Sequence, residues 1–228
     1  MNSWKRHRNI LKKMRYPDKL LEEVKDRAKG MKLEGINFGA GPVHPKLMIV
    51  GEAPGREEIE SLIPFHGASG KELMKSLASI GLKREDVYIT SAVRSRPYSV
   101  KKVFSKKENK EVTKYPNRKP TKKEILAHAP LLDYEINYAQ PKIIVTVGTT
   151  ALNRLLGNKY EISKVHGKII KNTPILKLND AKDGYVWSKE KYTIIPQYHP
   201  AAVFYNRKLA ETITQDWLNI KPLLKREN

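Results

Sequence analysis

A chain of 228 residues with 39% hydrophobic side chains is long enough to bury the core of one α/β domain. Its 44 Lys and Arg against 24 Asp and Glu leave a formal charge of +20, which selects polyanions as partners, nucleic acid ahead of an anionic membrane surface. The absence of cysteine excludes disulfides, thiolate metal sites and cysteine nucleophiles.

In chain order, residues 1–30 carry ten Lys/Arg and four Asp/Glu and read as part of a basic N-terminal helical region over 1–36, with Leu20, Leu21 and Val24 on its buried side. Four short apolar runs follow: "47-LMIVG", "87-VYITSAV", "142-KIIVTVG" and "192-YTIIPQY". Their hydrophobicity is continuous rather than alternating, as in strands covered on both faces of a parallel sheet. Between them, "69-SGKELMKSLASIGL", "121-TKKEILAHAPLLDYEINYA" and "149-TTALNRLLG" have helical spacing. Thr121 three residues before Glu124 forms a capping box, and Gly81 ends the first of these helices. A last helix from 208 places Leu209, Ile213, Trp217 and Ile220 on one stripe. The pattern predicts one domain over 1–228, an α/β three-layer sandwich whose central four-stranded parallel sheet is flanked by helices.

One segment interrupts it. Residues 98–123 hold ten Lys/Arg and two Glu, and "98-YSVKKVFSKKENKEVTKY" has β-formers on either side of a polar turn, so 98–116 reads as a basic hairpin-like insertion. A charge run of this kind is also compatible with a solvated surface loop.

No apolar stretch has the length of a membrane span and the N-terminus lacks the apolar core of a secretory leader. A cytoplasmic, nucleoid-associated protein with no membrane partner is expected.

Ligands of open α/β sheets bind beyond the carboxyl ends of the strands. The sequence places "51-GEAPGREEIESLIPFHGASG", "91-SAVRSRP", "148-GTTALN" and "199-HPAAVFYNRK" there. "GEAPG" is not a nucleotide-binding Walker loop, because the terminal Lys-Ser/Thr is missing. Taken singly, Glu52 also fits a surface carboxylate, Phe65 a core residue and His199 a strand end.

Taken together and in order, these stretches resemble the uracil-DNA glycosylase superfamily, most closely its family 4, over roughly residues 37–220. "GEAPGREEIESLIPFHGASGKEL" is similar to that family's first motif, "VYITSAVRSRP" and "PKIIVTVGTTALNRLLG" to its second and third strand regions, and "YHPAAVFYN" to its histidine motif. The resemblance implies a monomeric, monofunctional DNA N-glycosylase of base excision repair. Such an enzyme flips a damaged base out of the duplex and hydrolyses its glycosidic bond. Glu52 and His199 would be catalytic, the first orienting water and favouring the oxocarbenium-like sugar, the second donating to the base O2. Phe65 would stack on the base, and Gly51, Ala53 and Ser91 would line its polar edge. Gly55, Thr149, Thr150 and Ala201 would approach DNA. Val203 and Phe204 would stand where a wedge fills the gap left by the flipped nucleotide. Arg118, Arg207, Lys208 and, in the insertion, Lys101, Lys102, Lys106 and Lys107 would meet phosphates.

The chain departs from the family at three places. Four cysteines that hold an iron–sulfur cluster there are absent, Ser95 and His128 standing at two of their positions and the Arg27 to Met31 region at the others, so no cofactor or metal is expected. Ser91 replaces an asparagine that reads uracil O4 and N3, which leaves another deaminated base, such as hypoxanthine or xanthine, as a candidate substrate. The basic insertion is the third departure. A non-catalytic nucleic-acid-binding protein of the same fold is the alternative reading.

Overall fold

A computed structural model describes residues 14–224; the first thirteen residues of the basic N-terminal region lie outside them. In chain order the strands are β1 (Leu33–Glu34), β2 (Leu47–Gly51), β3 (Val87–Ser91), β4 (Arg96–Pro97), β5 (Lys101–Ser105), β6 (Lys110–Lys114), β7 (Ile143–Val147), β8 (Ile170–Leu178) and β9 (Tyr185–Gln197). The helices are α1 (Asp18–Arg27), α2 (Arg56–Ser61), α3 (Ala68–Ser79), α4 (Lys122–Ala139), α5 (Thr149–Leu156), α6 (Ile162–Val165), α7 (Ala202–Tyr205), α8 (Leu209–Leu218) and α9 (Lys221–Leu224).

The four expected strands form the parallel part of the central sheet, in the order β3-β2-β7-β9. Every residue of β2 and β7 is buried. The reason is visible in the alternation of their side chains between two apolar layers. Met48, Val50 and Ile144 face Val24 of α1, Leu131 and Ile136 of α4 and Leu152 of α5. Leu47, Ile49 and Val145 face Leu73 and Leu77 of α3 and Ile213 and Trp217 of α8. The α8 stripe is core as expected, with Leu209 partly buried beside it.

The sheet has five strands rather than four. β8 adds antiparallel to β9 at the edge, with register shifts on either side of Thr173–Pro174. An edge strand tolerates a proline and needs only one apolar face. Its mixed sequence, "170-IKNTPILKL", therefore lacks the continuous hydrophobicity that marks the other four. The local signal was the turn "179-NDAKDG", which Asn179 closes by accepting from the backbone N–H of Asp183 and Gly184.

Thr121 and Glu124 form the capping box of α4, each side chain accepting from the other's backbone N–H. Gly81 follows α3 at φ +80°, a conformation that glycine adopts without cost. The insertion is a hairpin: β5 pairs antiparallel with β6 from Lys101↔Lys114 to Ser105↔Lys110, and both strands are largely exposed. Its base is fixed by the buried Arg96, which donates from Nε to Asn117 Oδ1 at 2.5 Å, from Nη2 to the Tyr115 carbonyl, and pairs through Nη1 with Glu34.

Candidate active site

The carboxyl ends of β2, β3, β7 and β9 open into one cavity of about 740 Å³. Glu52, Ala53, Gly55, Phe65, Ser91, Thr149, His199 and Ala201 line it together, although they come from segments up to about 150 positions apart in sequence.

Each group is positioned by identifiable chemistry. Glu52 leaves β2 directly, and its Oε2 accepts a hydrogen bond from the Thr150 hydroxyl at the start of α5. Thr150, expected to contact DNA, is thus engaged with the carboxylate. Phe65 sits at φ +52°, which a bulky residue adopts only when its surroundings demand it. Arg84 supplies that demand by donating to the Pro64 carbonyl at 2.7 Å and the Phe65 carbonyl at 2.8 Å. Beneath the ring lies Gly51, where an added Cβ would come within 2.7 Å of Phe65 Cζ. Gly51 therefore makes room for the ring and does not itself line the cavity.

His199 follows β9 and rests against Gly148, which is at φ +95° and whose added Cβ would stand 3.3 Å from His199 Cβ. The Ala201 backbone N–H donates to His199 Nδ1 at 3.2 Å. With Nδ1 accepting, the proton of the neutral ring is on Nε2. Burial lowers the imidazole's pKa below its ordinary value, and Lys119 acts in the same direction against the opposing pull of Glu52 and Glu58. The ring centroids of His199 and Phe65 are 6.1 Å apart.

The end of β3 differs from what the sequence suggested. The Ser91 hydroxyl donates to the Val93 carbonyl at 2.8 Å and accepts from Arg94 Nη1 at 3.3 Å. Arg94, unremarked in the sequence, also lines the cavity and forms a buried ion pair with Glu135 of α4. Nothing local in "SAVRSRP" signals this, because the partner is 41 positions away.

Around the rim, Arg118 lines the cavity, but its guanidinium is held by both Glu124 oxygens at 2.6 and 2.8 Å. It braces the rim, while its neighbour Lys119 also lines the cavity. Val203 packs against the second core layer, whereas Phe204 is about half exposed and Tyr205 is 91% exposed at the cavity mouth. Arg207 and Lys208 are exposed beyond them. Lys101, Lys102, Lys106 and Lys107 lie on the exposed hairpin outside the cavity lining. The hairpin nevertheless runs into that lining through Asn117, Arg118 and Lys119.

Ser95 and His128 both line a second cavity of about 350 Å³, together with Ala28 and Met31. His128 Nδ1 accepts from the Arg94 backbone N–H at 3.3 Å, and burial depresses its pKa to about 3. A neutral imidazole, one hydroxyl and an apolar lining do not fit an iron–sulfur cluster, which needs thiolates. Packing of Val24 and a bond from Arg27 Nη2 to the Leu126 carbonyl at 3.0 Å tie α1 to α4 instead. Among the described residues, no three His, Asp or Glu side chains gather as a metal site, and no helix is long and apolar enough to cross a membrane.

Residues 38–221 match the uracil DNA glycosylase superfamily. The chain is 36% identical over 192 residues to a type-4 uracil-DNA glycosylase of Sulfurisphaera tokodaii, covering 81% of this chain and 73% of that one. It is 34% identical over 190 residues to the Archaeoglobus fulgidus type-4 uracil-DNA glycosylase, covering 81% and 80%. The type-4 uracil-DNA glycosylase of Thermotoga maritima is 30% identical over 220 residues, 92% of this chain and 97% of the relative.

Proposed function

The chain belongs to the uracil-DNA glycosylase superfamily, and we propose that it excises uracil from DNA through Glu52, Phe65 and His199, acting as a monomer on a flipped-out base. It is a DNA N-glycosylase, a hydrolase that leaves an abasic site in base excision repair. The observation that carries the residue assignment is the convergence of these three side chains on one cavity, Glu52 directly after β2, Phe65 beyond α2 and His199 after β9.

In this reading the flipped base enters the cavity and stacks on the Phe65 face. Glu52, oriented by Thr150, positions a water at the sugar C1′ and favours the positive charge that grows there. The C1′–N1 bond breaks as the water oxygen bonds to C1′. The electron pair leaves with the base, and its charge collects at O2, where the His199 Nε2–H donates. The water's proton is taken up by Glu52 and finally reaches the released base. One donor aimed at developing charge contributes about 3 kcal/mol.

The hairpin and the exposed Phe204 and Tyr205 extend the contact to the strand around the lesion, the first through phosphates and the second by filling the vacated stack. The protein then works wherever the cell keeps its DNA.

The test is incubation with single- and double-stranded oligonucleotides containing uracil, hypoxanthine or xanthine, followed by alkali cleavage at abasic sites. Uracil release that is lost in Glu52→Gln and His199→Ala supports the assignment. DNA binding with no release of any base would instead make the protein a non-catalytic binder of the same fold.

A further inference from the structure

The pocket edge at the end of β3 carries a side chain too short for a paired contact. Ser91 commits its only proton to the Val93 carbonyl, so toward a base it has a lone pair to offer and no donor. The donor is next to it. Arg94 is 1% exposed yet lines the cavity alongside Thr90 and Ser91.

Three bonds hold its guanidinium: Nε to the Tyr16 hydroxyl at 3.0 Å, Nη2 to Glu135 Oε2 and Nη1 to Ser91 Oγ. A guanidinium has five N–H groups, so donors remain beyond these three. Glu135 is itself completed by the Tyr16 and Thr90 hydroxyls and by the Gly39 backbone N–H at 3.1 Å. The cation is therefore held in place and balanced by Glu135, which does not itself line the cavity. Burying such a pair is costly in a fold that has apolar alternatives, which argues for a use at the cavity.

We infer that Ser91 and Arg94 together read the imide edge of the flipped base, Ser91 Oγ accepting from its ring N–H and Arg94 donating to the adjacent carbonyl. The inference rests on the glycosylase reading. Ser91 and His199 stand at strand ends three inter-strand spacings apart, about 14 Å, so they address opposite edges of one base. Uracil presents N3–H beside the C4 carbonyl and fits. Hypoxanthine presents N1–H beside C6 carbonyl and fits the same edge. Cytosine turns an amino group toward the cation and a bare ring nitrogen toward the Ser91 lone pair. Both mismatches leave polar groups unpaired, the condition under which hydrogen-bonding sites discriminate strongly.

Single-turnover release of uracil and 4-thiouracil from otherwise identical strands tests this, because 4-thiouracil keeps N3–H but weakens the acceptor opposite Arg94. The wild-type protein should release uracil about 10- to 100-fold faster, the range of one charge-assisted hydrogen bond. In Arg94→Met/Glu135→Gln, which strands no carboxylate, the ratio should fall toward one. Ser91→Ala leaves the ion pair in place; it should slow both bases about tenfold and keep the ratio. Equal wild-type rates on the two bases overturn the inference, as does a folded double variant with the wild-type ratio or a Ser91→Ala protein with an unchanged uracil rate. Release of neither base by the wild type would mean the glycosylase reading itself has failed.

Discussion

The Thr150 hydroxyl donates to Glu52 Oε2, joining the start of α5 to the end of β2 across 98 positions of sequence. The bond fixes which way the carboxylate points, and orientation is what a water-positioning group needs. Thr150→Val keeps the shape and removes the donor. Uracil release should fall about tenfold, the value of one hydrogen bond, with DNA affinity unchanged in a fluorescence anisotropy titration. A fall in affinity at constant rate would return Thr150 to the DNA surface.

His199→Ala should slow release by about 100- to 1000-fold in single-turnover kinetics, as for the removal of other transition-state donors. Burial holds the imidazole neutral below its usual range. The kcat/KM profile of the wild type should therefore show no His199 inflection at or above about pH 6.5. An inflection there that disappears in His199→Ala would contradict the assignment.

Gly51 lies under the Phe65 ring, with room for no Cβ. Gly51→Ala should displace the ring and lower uracil release by at least about tenfold while costing no more than about 2 kcal/mol of stability, the modest range of most substitutions. Urea unfolding beside kinetics separates the two effects.

The hairpin lysines act at long range. Replacing Lys101, Lys102, Lys106 and Lys107 by Gln should weaken DNA binding at low salt and reduce the slope of log K against log salt by about 0.9 for each phosphate that is no longer neutralised. The rate at saturating enzyme should stay unchanged. An unaltered salt slope would make the hairpin a surface feature without a DNA role.

His128 couples the second cavity to pH. Its folded pKa, about 3, lies below the unfolded value of about 6.5, so the unfolded chain binds the proton more readily. The stability it contributes is complete above about pH 6.5 and is lost as pH falls through that window toward 3, approaching about 4 kcal/mol. His128→Gln should flatten this part of the acid limb in urea melts at successive pH values.

The sequence by itself determined the parallel core and pointed to several residues that line the cavity. Continuous apolar runs in β2, β3, β7 and β9 can be buried only on both faces, and helical spacing between them leaves little choice of layers. Glu52 and His199 were legible because each stands just past a strand end, and Phe65 because it falls in the segment between β2 and α3. The hairpin was legible from its turn. What tertiary structure decided was every relation between distant segments. β8 becomes a strand only because β9 offers it an edge. The Thr150 hydroxyl finds Glu52, and the Arg118 guanidinium finds Glu124. The His199 tautomer follows from an Ala201 N–H whose direction depends on the folded turn. Arg94 lines the cavity with its charge neutralised by Glu135, on a helix 41 positions further on. Hydrophobic period is a local property that a chain carries in its order, whereas a hydrogen-bond partner is chosen only when packing brings two polar groups together out of water.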